Sequence, residues 1–124
     1  MAKKDFTKQI EQKVQLGELI KKLCERKELS LRKLADMIGL QPSNVFYIQT
    51  GANAPTPEVY QKLIIALTPT PKERFKLDKL YGEIRKIPPP DVCEILIKNP
   101  NLYEQIRKEI NLNYYAKKEN DNDE

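Results

Sequence analysis

The residues of this chain best suited to chemistry are a short run of amides and hydroxyls. Ser43, Asn44 and Tyr47 stand close together in the sequence. Such groups donate and accept hydrogen bonds, so they can cap a helix or pair with base edges, asparagine most naturally with adenine. Other chemistries lack their residues. The chain has no histidine and four glycines, which leaves neither the usual general base nor a glycine-rich phosphate loop. Glu25 and Glu28 lie near Lys21 and Lys22, where ion pairing on a solvated helix face explains them better than acid–base catalysis. Cys24 and Cys93 are too few and too far apart for a metal cluster and read as core fillers. The sequence therefore predicts no enzyme, no metal and no cofactor, and it makes no small-molecule ligand evident.

Charge points to one class of partner. The formal net charge is +4, and all of the excess lies in residues 1–68, with 11 Lys/Arg against 7 Asp/Glu; residues 69–124 hold 11 of each. Lysines and arginines near phosphates displace condensed counterions, so a polyanion-binding first half followed by a neutral segment fits this distribution. A merely solvated basic surface fits the charge alone equally well. No apolar run approaches the roughly 20 residues that span a bilayer. The N-terminal stretch does not read as a signal peptide, so the expected location is a reducing cytoplasm without a membrane partner.

The elements that must position the polar run are helices. Phe6, Ile10 and Val14 recur four apart, and Leu16, Leu19, Ile20 and Leu23 continue at three and four, which is helical spacing. Gly17 falls between the two sets, leaving open one long helix or a leader followed by a helix that ends near Lys27. Ser30 and Gly39 are good start and stop residues for a helix of about two turns, with Leu31, Leu34, Ala35 and Ile38 on one face and Arg32, Lys33 and Asp36 elsewhere. Pro42 suits the first position of the next helix, which Gly51 closes. Val45 and Ile48 face inward there, leaving Ser43, Asn44 and Tyr47 outward. Phe46 is expected in the core as an anchor to the next helix, with a partly exposed ring packing on sugars as the alternative.

Thr56-Pro57-Glu58 and Thr70-Pro71-Lys72-Glu73 start two more helices. The first carries Val59, Leu63, Ile64 and Leu67, and the second buries Phe75, Leu77, Leu80 and Ile84 before Pro88-Pro89-Pro90 breaks it. Asp91 should cap a short helix through Ile97, and Asn99-Pro100 should open another with Leu102, Ile106 and Ile110. Residues 117–124 lack apolar side chains and are expected to be disordered. No strand alternation or internal repeat occurs.

Two short helices joined by Gly39-Leu40-Gln41 have the spacing of a helix-turn-helix. The string from Leu16 to Leu67 resembles the DNA-binding domain of the Cro/CI-type helix-turn-helix family, the XRE family that includes the lambda repressor. The likeness is carried by Leu16-Gly17-Glu18, Leu29-Ser30, Leu34-Ala35, Gly39-Leu40, Val45, Ile48, Gly51 and Pro55-Thr56-Pro57. It implies an all-α fold: a lambda-repressor-like five-helix helix-turn-helix domain followed by short C-terminal helices. In domain terms this gives an N-terminal arm or leader helix at 1–15, the DNA-binding domain at 16–68, a helical extension at 69–116 and a tail at 117–124.

The resemblance also implies roles. Gln41, Ser43, Asn44 and Tyr47 would read bases from the leading end of the third helix, with each good contact discriminating by about 1–3 kcal/mol. Arg32, Lys33, Thr50 and Asn53 would hold the DNA backbone, although Asn53 serves equally as a turn former and Ser43 and Asn44 as helix caps. Lys3 and Lys4 would form an arm along a groove or a plain disordered terminus. Pro42 and Leu31 depart from the polar residues the family often carries at those places, and each removes a contact. Gln49 and Thr50 replace the acid–arginine pair that commonly ends the third helix.

The expected function is sequence-specific binding of double-stranded DNA by a prokaryotic or phage transcriptional regulator, a repressor acting as a homodimer on a two-fold operator. Leu77, Leu80, Ile84, Ile95, Leu96, Ile106 and Ile110, with Tyr114 and Tyr115, would supply the dimer or partner surface. The alternative is a protein-interaction module on the same fold, such as an antitoxin or a phage or mobile-element inhibitor.

Overall fold

Proline and threonine punctuate the chain into helices. The computed structural model describes residues 2–109, and every regular element among them is a helix. These are α1 (Ala2–Arg26), α2 (Leu31–Ile38), α3 (Pro42–Thr50), α4 (Pro57–Leu67), α5 (Pro71–Arg85) and α6 (Pro90–Lys98), followed by α7 (101–109). The helix starts have visible causes. Ser30, Thr56 and Thr70 each accept a hydrogen bond from the backbone N–H three residues on, and Glu73 closes a reciprocal capping box on Thr70, satisfying donors that a helix start leaves orphaned. Gly39 and Gly51 end α2 and α3 in the left-handed conformation, with φ of +73° and +86°, which costs glycine little.

The described residues divide into two units between Pro90 and Asp91. In the first, Leu16, Ile20, Leu23 and Cys24 of α1 pack with Leu34, Ala35 and Ile38 of α2, Val45 and Ile48 of α3, Tyr60, Leu63 and Leu67 of α4, and Leu77, Tyr81 and Ile84 of α5. Each fully buried leucine or isoleucine contributes roughly 1.5–3 kcal/mol of transfer free energy. In the second unit α6 buries no residue, and Val92, Ile95, Ile97, Tyr103 and Ile106 are exposed.

Several expectations are corrected. Of the two alternatives left open for the N-terminal stretch, the structure shows the single long helix, and Lys3 and Lys4 belong to its backbone rather than to an arm or a disordered terminus. Helix α5, assigned from sequence to the extension beyond residue 68, packs on α1 within the first unit. Leu77 and Ile84 are consumed in that packing and Leu80 is partly buried against it, so α5 offers little of the expected partner stripe. Phe75, expected inside, is 59% exposed, and Phe46 is 51% exposed. At both places the adjacent inward positions are already filled, by Leu77 on α5 and by Val45 and Ile48 on α3. Asp91 lies within the first turn of α6 behind Pro90 rather than ahead of it. Ile110, Tyr114, Tyr115 and residues 117–124 lie outside the described residues.

Candidate nucleic-acid interface

The connection between α2 and α3 is short because Gly39 turns the chain in the left-handed region and Leu40 N–H bonds back to Ala35 O at 3.0 Å. With Leu34, Ala35 and Ile38 turned inward on α2 and Val45 and Ile48 on α3, helical geometry sends the remaining side chains to water. Arg32, Lys33 and Asp36 are exposed on α2, as are Gln41, Ser43, Asn44 and Tyr47 along the turn and α3. Gln41 occupies the cap position of α3 without a side-chain cap bond. Asn44 meets Gln41 through the backbone only, its N–H donating to Gln41 O at 3.0 Å, so neither it nor Gln41 is spent on capping.

Helix α3 is held by its far end. A Cβ placed on Gly17 would lie 2.5 Å from the carbonyl oxygen of Ile48, and one on Gly51 would lie 2.6 Å from Val14 Cα. Both distances are below any real contact, so glycine at each place allows α1 and the end of α3 to cross closely. Gln49 Nε2 adds a weak bond of 3.7 Å to the buried thiol of Cys24, whose pKa burial pushes up.

Tyr47 O gathers the following residues. Thr50 Oγ1 donates to it at 3.2 Å and the Asn53 N–H at 3.2 Å, so Tyr47, Thr50 and Asn53 form one group at the end of α3. The loop carrying Asn53 is fixed from behind by α5. Tyr81 Oη donates to Pro55 O at 2.9 Å, and Arg85 Nη2 donates to Pro55 O at 2.5 Å and to Ala54 O at 3.4 Å. Tyr81 in turn stacks on Tyr60, with ring centroids 4.0 Å apart and planes 6° from parallel. Tyr60 Oη donates to Asp78 Oδ1 at 2.6 Å, and Arg74 Nε donates to Asp78 Oδ2 at 3.2 Å. Burial, reinforced by its bond to Asp78, pushes the Tyr60 phenol well above its ordinary pKa.

The electrostatics of α2 and α3 are lopsided. Arg32 and Lys33 lie in the first turn of α2, which carries no acid, so two cations sit at the positive end of the helix dipole. That arrangement disfavours the helix by up to about 1 kcal/mol per charge and favours an anion beside it. Helix α3 carries no charged residue. Phe46 and Tyr47 meet edge to face at 6.0 Å, adding an apolar strip beside the polar one.

The structure thus gathers Tyr47, Thr50 and Asn53 and exposes Gln41, Ser43 and Asn44 on the same short element. Arg32 and Lys33 stand on the neighbouring helix, without a bond to that group. Sequence reasoning missed the surroundings of Asn53: Gln9 and Lys13 of α1 and Arg85 of α5 line a cleft with it. The spacing of Gln9 and Lys13, one helical turn apart, marks a shared face, but nothing in the sequence brings Arg85 to it. Among the described residues no group of three or more His, Cys, Asp or Glu could hold a metal, and no helix is long and apolar enough to cross a membrane. Comparison with family models, curated proteins and solved structures returned no match.

Proposed function

We propose that this chain is a sequence-specific double-stranded DNA-binding regulator that lays the start of α3 in the major groove, on the lambda-repressor-like plan that its sequence resembles. Repression as a homodimer on a two-fold operator is the mode that the resemblance implies. The observation that carries the reading is the exposed polar edge of Gln41, Ser43, Asn44 and Tyr47 on a short helix, preceded by a helix whose first turn holds Arg32 and Lys33 with no acid. Such an edge can meet bases, and such a helix start suits a phosphate.

Because α3 is uncharged, affinity must come from around it. Arg32 and Lys33 supply backbone contacts on this reading, with Thr50 and Asn53 at the other end of α3. Dimer contacts fall to the second unit, whose Ile95, Ile97 and Ile106 are exposed. The protein-docking alternative is favoured by one observation, the exposed Phe46 and Met37 beside the polar edge, since aromatics and methionine are enriched at protein interfaces.

Selection from a random duplex pool separates the two. The expected result is enrichment of a two-fold site with half-sites about one helical turn apart, roughly 10 bp. A pool that stays random, with no duplex retained at low salt, would overturn the DNA reading in favour of a protein partner.

A further inference from the structure

The cleft beside Asn53 has a composition that the α3 edge lacks. Gln9, Lys13, Asn53, Ala54, Ile84 and Arg85 line it, so two cations and two amides face one space, with no carboxylate among the described residues that line it. Arg85 is held in place: its Nη2 is bonded to Ala54 O and Pro55 O, and its guanidinium lies 5.9 Å from the centroid of the Tyr81 ring. A guanidinium fixed in this way keeps other N–H donors to offer and has little freedom left to lose on meeting an oxyanion. Lys13 is half-buried, and it pairs with no carboxylate among the described residues. The adjoining space is lined by Lys8, Gln9, Gln12, Glu83 and Lys86. Its one acid, Glu83, accepts a hydrogen bond from Gln12 Nε2 at 2.5 Å. Among the described residues lining the two spaces, Lys8, Lys13, Arg85 and Lys86 face one carboxylate, that of Glu83.

Continuity decides what such a surface meets. Asn53, which lines the cleft, is tied through its backbone N–H to the backbone carbonyl of Tyr47 at 3.2 Å, so the cleft adjoins α3 through the loop that follows it. A ligand that touches Tyr47 and carries negative charge at regular intervals would reach it, as a nucleic-acid strand does.

We infer that the first half of α1, the loop after α3 and the end of α5 together form a second backbone clamp, in which Lys13, Arg85 and Asn53 hold a phosphodiester of the duplex read by α3. This rests on the DNA-binding reading above and assigns to it residues beyond the helix-turn-helix. The long α1 and the helix α5 then serve in binding as well as in folding.

The test uses the full chain and a labelled mixed-sequence duplex of about 25 bp, titrated by fluorescence anisotropy across a salt series. Loss of one phosphate contact should reduce the slope of log affinity against log salt by about 0.9. For Lys13→Gln this corresponds to about eightfold weaker binding at 0.1 M salt, one decade below a 1 M reference. Lys13→Arg should restore the wild-type slope, and melting curves of both variants should match wild type. Arg85→Lys, which keeps the charge and loses the fork, should weaken binding while leaving the slope nearly unchanged.

Wild-type binding with an unaltered slope and affinity in Lys13→Gln overturns the clamp and leaves the α3 reading standing. A wild-type chain that binds no duplex overturns both. A separate arm titrates inorganic phosphate alone, following backbone amide resonances. Saturation at Asn53 and Lys13, together with an unaltered duplex slope in Lys13→Gln, would make this a small-anion site and overturn the clamp.

Discussion

Tyr60 and Tyr81 on one side and Tyr47 on the other show tyrosine in two settings, one buried in the fold and one turned to solvent. At the seam of α4 and α5, Tyr60 and Tyr81 are buried, stacked on one another, and give their hydroxyls to Asp78 and Pro55. On the outer face of α3, Tyr47 is 44% exposed and its ring meets Phe46 edge to face. Asp78 and Asn44 differ in the same way. The carboxylate is 0% exposed and holds two donors, whereas Asn44 presents its amide to solvent. Buried polar groups must be paired within the protein or they cost stability. Exposed ones carry no such obligation, and on the proposed function their order along α3 is where the duplex is read.

The comparison breaks most visibly through truncation. Tyr60→Ala should destabilise the chain by about 3–5 kcal/mol, because it opens a cavity against Tyr81 and strips a donor from buried Asp78. Tyr47→Ala should stay within about 0.5 kcal/mol. Urea denaturation of the two variants checks this, and similar losses in both would mean that Tyr47 is a structural residue after all.

A smaller effect concerns binding. Replacing Arg32 and Lys33 together with glutamine should weaken all duplexes alike and reduce the salt slope by about 1.8, two contacts' worth. Stability should rise slightly, since two cations leave the positive end of a helix dipole. A slope that does not move would remove both residues from the backbone set.

The pH dependence of stability is expected to be smaller still at the acid end. Glu73 is held at about 2, against an ordinary 4.5, by the hydrogen bond from Arg26 and the backbone N–H of Thr70. A lowered folded-state pKa gives stability that is present above 4.5 and lost as pH falls toward 2. Tyr60 runs the other way. Its raised pKa gives stability that is complete below about 10 and lost as pH climbs beyond it. Melting temperatures across pH should show both limbs, with Glu73→Gln flattening only the acid one.

Much of this was legible in the residues themselves. Ser30, Thr56 and Thr70 before apolar periodicity, with Pro42, Pro57 and Pro71 at first positions, mark the starts of α2 to α5 because capping is a local interaction. The outward set Ser43, Asn44 and Tyr47 follows from Val45 and Ile48 turning inward. What stayed hidden depends on contacts far apart in sequence. Gly17 leaves one helix or two equally open, yet it is the residue that lets α1 run past the carbonyls of Ile48 and Gln49. Phe75 is apolar and reads as core by residue type, yet it lies two residues from Leu77 and six from Tyr81, on the opposite side of α5 from the buried face. Arg85 looks like an ordinary helix-end cation until the loop at Pro55 is brought beneath it.

The central claim, that the outward edge of α3 reads bases, is tested most directly with Ser43→Ala and Asn44→Ala combined. Affinity would be compared on the duplex enriched from a random pool and on a scrambled duplex of the same length. The account predicts a loss of about 1–3 kcal/mol per contact on the enriched duplex and little change on the scrambled one, with the salt slope preserved. An equal loss on both duplexes, or none on either, would contradict it.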